Sequence, residues 1–291
     1  AEQLLDDEEL YASVSSNANF LKDQNIHFNL QAVQATLARV YLTEGTLDSA
    51  LYYAQQVIQA PGLSLLDYTD IAGDLAGKLS SKETVFGIYS KNFAEPVIKI
   101  LHNSQSAYSF EMRYNIQQLY QIDGAGNDYR WGAWYTYNNT GKYWKLDKLT
   151  DTYVLNNTEY NRPAGEIRGI NMIRLPEMYY IVAECVPSAS ESADALNTVR
   201  FARGISYSDE IPTTGYDDLD NTSEEDKNQT KRINEIMKEY RKEYFAEGQL
   251  FYFLKAHNYS TYYGCGIETM TEAHYQMTLP DDEYIFGNNS K

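Results

Sequence analysis

Apolar residues that recur every three or four positions on both sides of one glycine do most to limit the folds open to this 291-residue chain. Leu30, Val33, Leu37, Val40 and Tyr41 mark one amphipathic helix, and Leu47, Leu51, Ala54, Val57 and Ile58 mark a second. Thr43-Glu44-Gly45-Thr46 joins them. Gly45 suits the left-handed residue that follows a helix, and Thr46 or Asp48 can cap the next one. Pro61-Gly62 then stops the second helix, because proline cannot continue the hydrogen-bond ladder.

Leu37, Ala38, Tyr41, Ala50 and Pro61 fall close to the spacing of a tetratricopeptide repeat, in which small residues let paired helices approach closely. A second pair follows at residues 172–204. In IRLPEMYYIVAEC, Pro176 suits a first helical turn and Glu177 complements its partial positive charge, while Leu175, Met178, Val182 and Cys185 line one face. Pro187 and the serines after it break the run, and SADALNTVRFARG starts another helix that closes at Gly204. The third helical region lies near 230–258, where Ile233, Ile236, Met237, Tyr240, Tyr244 and Phe245 form the stripe to be buried. A chain of this length can bury a sizeable core. The expectation is one mainly α-helical domain over residues 1–291, built on helix pairs near 28–60, 172–204 and 230–258, with long loops and a few short strands or hairpins over 62–170.

Between the pairs, KETVFGIYS carries Val85, Phe86, Ile88 and Tyr89 without helical period and is expected as a strand. DYRWGAWYTYNNTGKYWK, residues 128–145, holds all three tryptophans. Its alternation of Trp131, Ala133, Tyr135 and Tyr137 against Trp134 and Thr136 reads as strand, with Asn138 to Gly141 at a hairpin tip. DGAGND, residues 123–128, reads as a turn. YDDLDNTSEEDKNQT reads as an exposed acidic loop, without the glycine and terminal glutamate of a calcium-binding EF-hand loop.

The formal net charge of −17 would repel phosphate backbones and anionic headgroups, so nucleic acid is not an expected partner. No run approaches a membrane span. Cys185 and Cys265 lack metal spacing, Cys185 reading as a small buried hydrophobe, and no metal or cofactor is expected. The four histidines are isolated, and no phosphate-binding or dinucleotide-binding glycine loop is present. Glu177, Glu184, Glu239, Glu243 and Glu247 could supply the two carboxylates of a glycosidase. Glu235 with Lys238 and Glu239 with Lys242 fall at i,i+3 spacing, however, which makes solvated or structural pairs the simpler reading.

Taken in order, KETVFGIYSKN, QLYQIDGAGNDYRW, IRLPEMYYIVAEC, ALNTVRFARG, EYRKEYFAEGQLFYFLKAHN and LPDDEYIFGNN resemble the signature stretches of SusD/RagB family proteins. The resemblance runs from about residue 25 to the C-terminus. It implies a SusD-like α fold and a protein that binds a glycan or other nutrient without catalysis. It also implies an N-terminal lipid anchor, absent from this chain, on the outward face of the outer membrane of Bacteroides-type bacteria, and a SusC-like TonB-dependent transporter as partner. The chain opens on AEQLL as though in mid-helix and lacks the family's lipobox cysteine, which reads as a C-terminal part or a short member. Leu250 and Phe253 stand where the family often has arginine and aspartate.

Of the 27 tyrosines, roughly three times the usual share, those near the hairpin tip are the candidate ligand platforms, since sugar C–H faces pack on rings while hydroxyls need amides. The candidates are Trp134, Tyr135, Tyr137, Asn138 and Trp144, with Asp128, Arg130 and Trp131 read as structural. Tyr259, Tyr262 and Tyr263 form a second candidate cluster. Two other functions stay open: a tetratricopeptide-type scaffold binding protein or peptide in its helix grooves, and an α-helical glycoside-active enzyme.

Overall fold

The computed structural model describes residues 24–72, 79, 81–90, 93–101, 116–120, 128–150, 153, 156, 168–212, 219–224, 226–262 and 264–280. The chain is mainly helical with a few short strands, as expected. Helices α1 (Leu30–Glu44) and α2 (Leu47–Ile58) form the first pair. Asn29 caps α1, its Oδ1 accepting the Ala32 amide at 2.8 Å. Gly45 ends it at φ 78°, with its own amide on the Leu42 carbonyl and that of Thr46 on Tyr41. Thr46 precedes α2 without a side-chain cap bond, and Asp48 occupies the first turn. Ala35, Ala38, Ala50 and Ala54 are fully buried, which is what brings the two backbones together.

A short helix α3 (Tyr68–Ala72) precedes strand β1 (Thr84–Tyr89), the strand expected from KETVFGIYS. It pairs antiparallel with β4 (Gly169–Arg174). The strands approach so closely at Gly169 that a Cβ there would lie 2.1 Å from the Ile88 carbonyl oxygen. Helices α4 (Ala94–Leu101) and α5 (Ile116–Leu119) lie between them in sequence, as do the segments of the candidate site.

Helix α7 (Leu175–Cys185) has Pro176 in its first turn and is more deeply set than one apolar stripe implies. Leu175, Met178, Ile181 and Cys185 pack on α1, α2 and the ribbon. Tyr180 and Ala183 pack on α8 (Ala189–Ala202) and α9 (Lys231–Glu243). Glu177 is fixed by Arg39 of α1 through two hydrogen bonds of 2.5 and 2.6 Å. Helix α8 begins earlier than the sequence suggests, because the Ser188 hydroxyl caps it by accepting the Glu191 amide at 3.3 Å.

The third run is two helices, α9 and α10 (Gln249–Ala256). Between them Ala246 and Gly248 take φ of 64° and 87°, which an α-helix cannot accommodate. Ile236, Met237, Tyr240 and Tyr244 are buried as expected, with Ile233 and Phe245 partly so.

The acidic loop departs from the expectation of plain solvation. Leu219, Ser223 and Asp226 are buried, and the Asp226 carboxylate accepts from the Asn228, Ser260 and Thr261 amides and the Ser260 hydroxyl. Residues 216–218 and 225 of that loop, 123–127 of the glycine turn and 281–289 of the last motif lie outside the described residues.

Candidate functional site

The tryptophan-bearing stretch does not begin as a strand. Asp128 accepts the Arg130 amide at 3.1 Å as an N-cap, and its carboxylate also takes the Arg130 guanidinium at 2.7 and 2.9 Å. That double hold starts helix α6 (Tyr129–Trp134), so the period there is 3.6 and not 2. Strand follows only at β2 (Tyr135–Asn138), paired antiparallel with β3 (Tyr143–Leu146) so that Tyr137 faces Trp144 and Asn138 faces Tyr143.

The tip lies where it was expected. Asn138 accepts the Lys142 amide on its carbonyl at 2.8 Å, and its side-chain oxygen accepts from the Thr140 and Gly141 amides. Its amide nitrogen donates to the Tyr143 hydroxyl at 2.8 Å. Asn138 is therefore committed to shaping the turn.

The helical start sorts the rings differently from strict alternation. Tyr137 is 38% exposed and Trp144 and Trp131 are half-buried. Trp144 sits between the other two, 4.8 Å from Tyr137 and 4.5 Å from Trp131 between ring centroids. These three rings form the accessible platform. Trp134 and Tyr135, expected as exposed platforms, are 2% and 5% exposed and belong to the core beneath, with Leu66, Ile71, Tyr120 and Leu146. The Trp134 ring lies over the Lys148 ammonium at 4.3 Å. The Tyr135 hydroxyl meets that of Tyr120 at 3.1 Å, and Tyr120 donates to the Lys242 carbonyl at 2.9 Å. Burial pushes the Tyr135 hydroxyl pKa up, so it stays protonated.

Of the second aromatic cluster, Tyr259 and Tyr262 are among the described residues. Tyr259 is fully buried, and its carbonyl accepts the Tyr275 hydroxyl at 2.8 Å. Tyr262 is half-buried with the Arg241 guanidinium 5.7 Å from its ring centre. Tyr263 lies outside the described residues.

Below the platform runs a buried ion network that sequence reasoning missed. Glu243 of α9 receives Arg130 at 3.0 Å, Arg174 at 2.6 Å and Arg203 at 3.0 Å. Arg203 continues to Glu83 at 2.7 Å, Arg174 to Glu247 at 2.9 Å, and Arg130 to Glu239 at 3.0 Å. Arg200 and Lys242 also hold Glu239, and Lys148 holds Glu247. The first five stretches of the ordered series each supply members: Glu83, then Asp128 and Arg130, then Arg174, then Arg200 and Arg203, then Glu239, Glu243 and Glu247. The i,i+4 spacing of the last three glutamates was the signal available in the sequence.

This network argues against the carboxylates as glycosidase residues. Burial alone would raise the Glu239 carboxyl, but Lys242, Arg130 and Arg200 hold it well below its usual range, and Arg203, Arg174 and Arg130 do the same for Glu243. A general acid needs the opposite shift and a path to substrate. The remaining pair, Glu235 with Lys238 at 2.7 Å, is partly exposed, and Glu184 lies 3.1 Å from His257. Among the described residues no three His, Cys, Asp or Glu side chains gather as a metal site, and no helix is long and apolar enough to cross a membrane.

Helix pairs of tetratricopeptide type, a short β ribbon, and an aromatic hairpin set on a buried charge network define a helical protein with a ring-lined surface. The chain belongs to the SusD family: the SusD_RagB family model matches residues 73–278. No curated protein is significantly similar in sequence. In structure, the chain is similar to a SusD superfamily protein of Bacteroides thetaiotaomicron, 22% identical, with a TM-score of 0.60 over 86% of this chain and 55% of that one. A SusD superfamily protein of Bacteroides vulgatus is 20% identical, with a TM-score of 0.62 over 98% and 63%. Surface glycan-binding protein A of Bacteroides thetaiotaomicron, in complex with laminarihexaose, is 15% identical, with a TM-score of 0.59 over 97% and 68%. The chain thus spans between about half and two thirds of the length of these structures.

Proposed function

We propose that this protein binds a glycan at the cell surface and hands it to a TonB-dependent outer-membrane transporter of the SusC type, without cleaving it. Membership of the SusD family supports the reading, and so do solved relatives described as a surface glycan-binding protein and a laminarin-binding SusD-like protein. The observation that carries it to particular residues is the Tyr137, Trp144 and Trp131 platform, three rings in contact with Tyr137 foremost in solvent. Ring faces of this kind hold sugar C–H surfaces at a gain of a couple of kcal/mol each from area alone. Asn138 serves the site by fixing the turn. Lipid anchoring at the outer membrane belongs to the same proposal.

The test is binding of soluble plant, host and microbial polysaccharides to the chain and to Tyr137→Ala and Trp144→Ala variants, with reducing ends counted in the same samples. Binding that weakens in the variants with no new reducing ends supports the proposal. Binding unchanged in both variants removes the platform from it, and reducing ends that disappear in a Glu-to-Gln variant would make the protein an enzyme.

A further inference from the structure

Helix α6 carries ring contacts on two sides. At about 100° of turn per residue, the buried Arg130 and Trp134 point into the core, which puts Gly132 on the outer face with Tyr129 and Trp131 flanking it. Trp131 meets Trp144 of the hairpin, and Tyr129 meets Tyr68 of α3, ring centroids 4.7 Å apart and planes tilted by 54°. Tyr68 is 60% exposed, more so than Tyr137, while Tyr129 and Trp131 rest half-buried on the same core.

The backbone beneath the tyrosine pair is fixed by the buried network. Two residues before Tyr68, the Leu66 amide donates to Glu83 and the Leu66 carbonyl accepts from Arg203, each at 2.7 Å. The Arg203 carbonyl in turn accepts the Tyr129 amide at 2.8 Å. One arginine therefore seats both rings. Asp67 and Asp70 close the first turn of α3 by accepting each other's amides at 3.1 Å, and the partly exposed Lys82 ammonium lies 2.5 Å from Asp70 and 3.9 Å from the exposed Asp67. Folding gains little from holding a ring in water, whereas a ligand that covers the ring gains its burial.

Gly132 supplies an independent observation. It is exposed, and a Cβ there would meet nothing within 4 Å. Its φ lies outside the left-handed range and alanine favours a helix more, so neither conformation nor packing calls for glycine. What the glycine provides is bare backbone between the two ring sets.

We infer that Tyr68 and Tyr129 form a second sugar platform, and that a glycan chain lies across α6 over Gly132, held by one ring set on each side. The inference rests on the proposed glycan binding and names the form of the ligand, a neutral polymer. The C–H face of one sugar unit lies on Tyr68, where hydroxyls donate to the Asp67 carboxylate and accept from the Lys82 ammonium. The hairpin offers no such partner in Asn138, whose side chain is committed to its turn. Two carboxylates beside one ammonium, on a chain of net charge −17, disfavour an acidic polymer. The width of α6, about 10 Å, separates the ring sets, a distance that several linked sugar units cover and a monosaccharide does not. The second contact then adds through effective concentration.

The experiment titrates soluble starch, xylan, mannan and mixed-linkage β-glucan, each beside its trisaccharide. Calorimetry measures the polymers, and tryptophan emission reads the hairpin side, because all three tryptophans lie on α6 and the hairpin. The unaltered chain is compared with Tyr68→Ala, Gly132→Gln and Tyr137→Ala, their folding verified by circular dichroism. At least one polymer should bind more tightly than its trisaccharide, and that advantage should fall about tenfold in Tyr68→Ala and again in Gly132→Gln, whose side chain obstructs the crossing. An undiminished advantage in both variants would overturn the inference; if Tyr137→Ala still weakened binding, the proposed function would survive with the hairpin platform alone. No binding of any polymer to the unaltered chain would overturn both. If Tyr68→Ala does not fold, Gly132→Gln decides.

Discussion

Arg203 and Glu83, which are 120 positions apart in the chain, meet at 2.7 Å with neither side chain reaching water. The contact joins the end of α8 to the segment leading into β1. Arg203 also holds Glu243 and donates to the Leu66 carbonyl at 2.7 Å, so one guanidinium ties several stretches of chain together. Removing one partner of such a pair leaves an uncompensated buried charge.

Arg203→Met should therefore lower stability by about 3–5 kcal/mol. A urea melt followed by circular dichroism measures it. A loss under about 1 kcal/mol would mean that Arg130 and Arg174 alone suffice to neutralise Glu243.

Acid should unfold the protein through the same network. Glu239 and Glu243 have folded pKa values held below the unfolded value of about 4.3. A depressed carboxylate contributes stability that is fully present above the unfolded pKa and lost as pH falls below it toward the folded value. The melting temperature should accordingly drop below about pH 4.3. Glu239→Gln should start lower at neutral pH and fall less steeply on acidification.

Rings above and below the hairpin should separate cleanly on truncation. Trp134→Ala should cost about 3–5 kcal/mol, because it empties a core site and uncovers Lys148. Tyr137→Ala should change stability by under about 1 kcal/mol and weaken polysaccharide binding instead. Thermal melts beside binding titrations make the comparison, and equal destabilisation by both variants would place Tyr137 in the core.

Thiol chemistry should distinguish the two cysteines. Burial raises the Cys185 pKa to about 12, and Glu184 and Asp48 add to the shift, so little thiolate forms. Cys265 is half-exposed. The native chain should react rapidly with one equivalent of a thiol reagent and the unfolded chain with two. Rapid modification of both in the native state would show that α7 opens readily.

How far the sequence reached can be judged at particular residues. Gly45, Pro176 and the Asn138 turn are legible because each reports a local backbone requirement: a left-handed residue, a fixed φ, an amide that hydrogen-bonds its own turn. Leu250 and Phe253, standing where charges are common in the family, said nothing of the network that gathers elsewhere.

Local periodicity and capping by themselves determined the helix pairs, the β1 strand and the hairpin tip, since these follow from residues within a turn or two of one another. Tertiary structure alone decided that Asp128 and Arg130 start a helix, that Trp134 and Tyr135 turn inward, and that Tyr137 and Trp144 face out with Trp131. The reason is that Arg130 reaches Glu239 and Glu243 more than a hundred residues away. A charge network closed over such distances can override an alternation that spans only a few side chains.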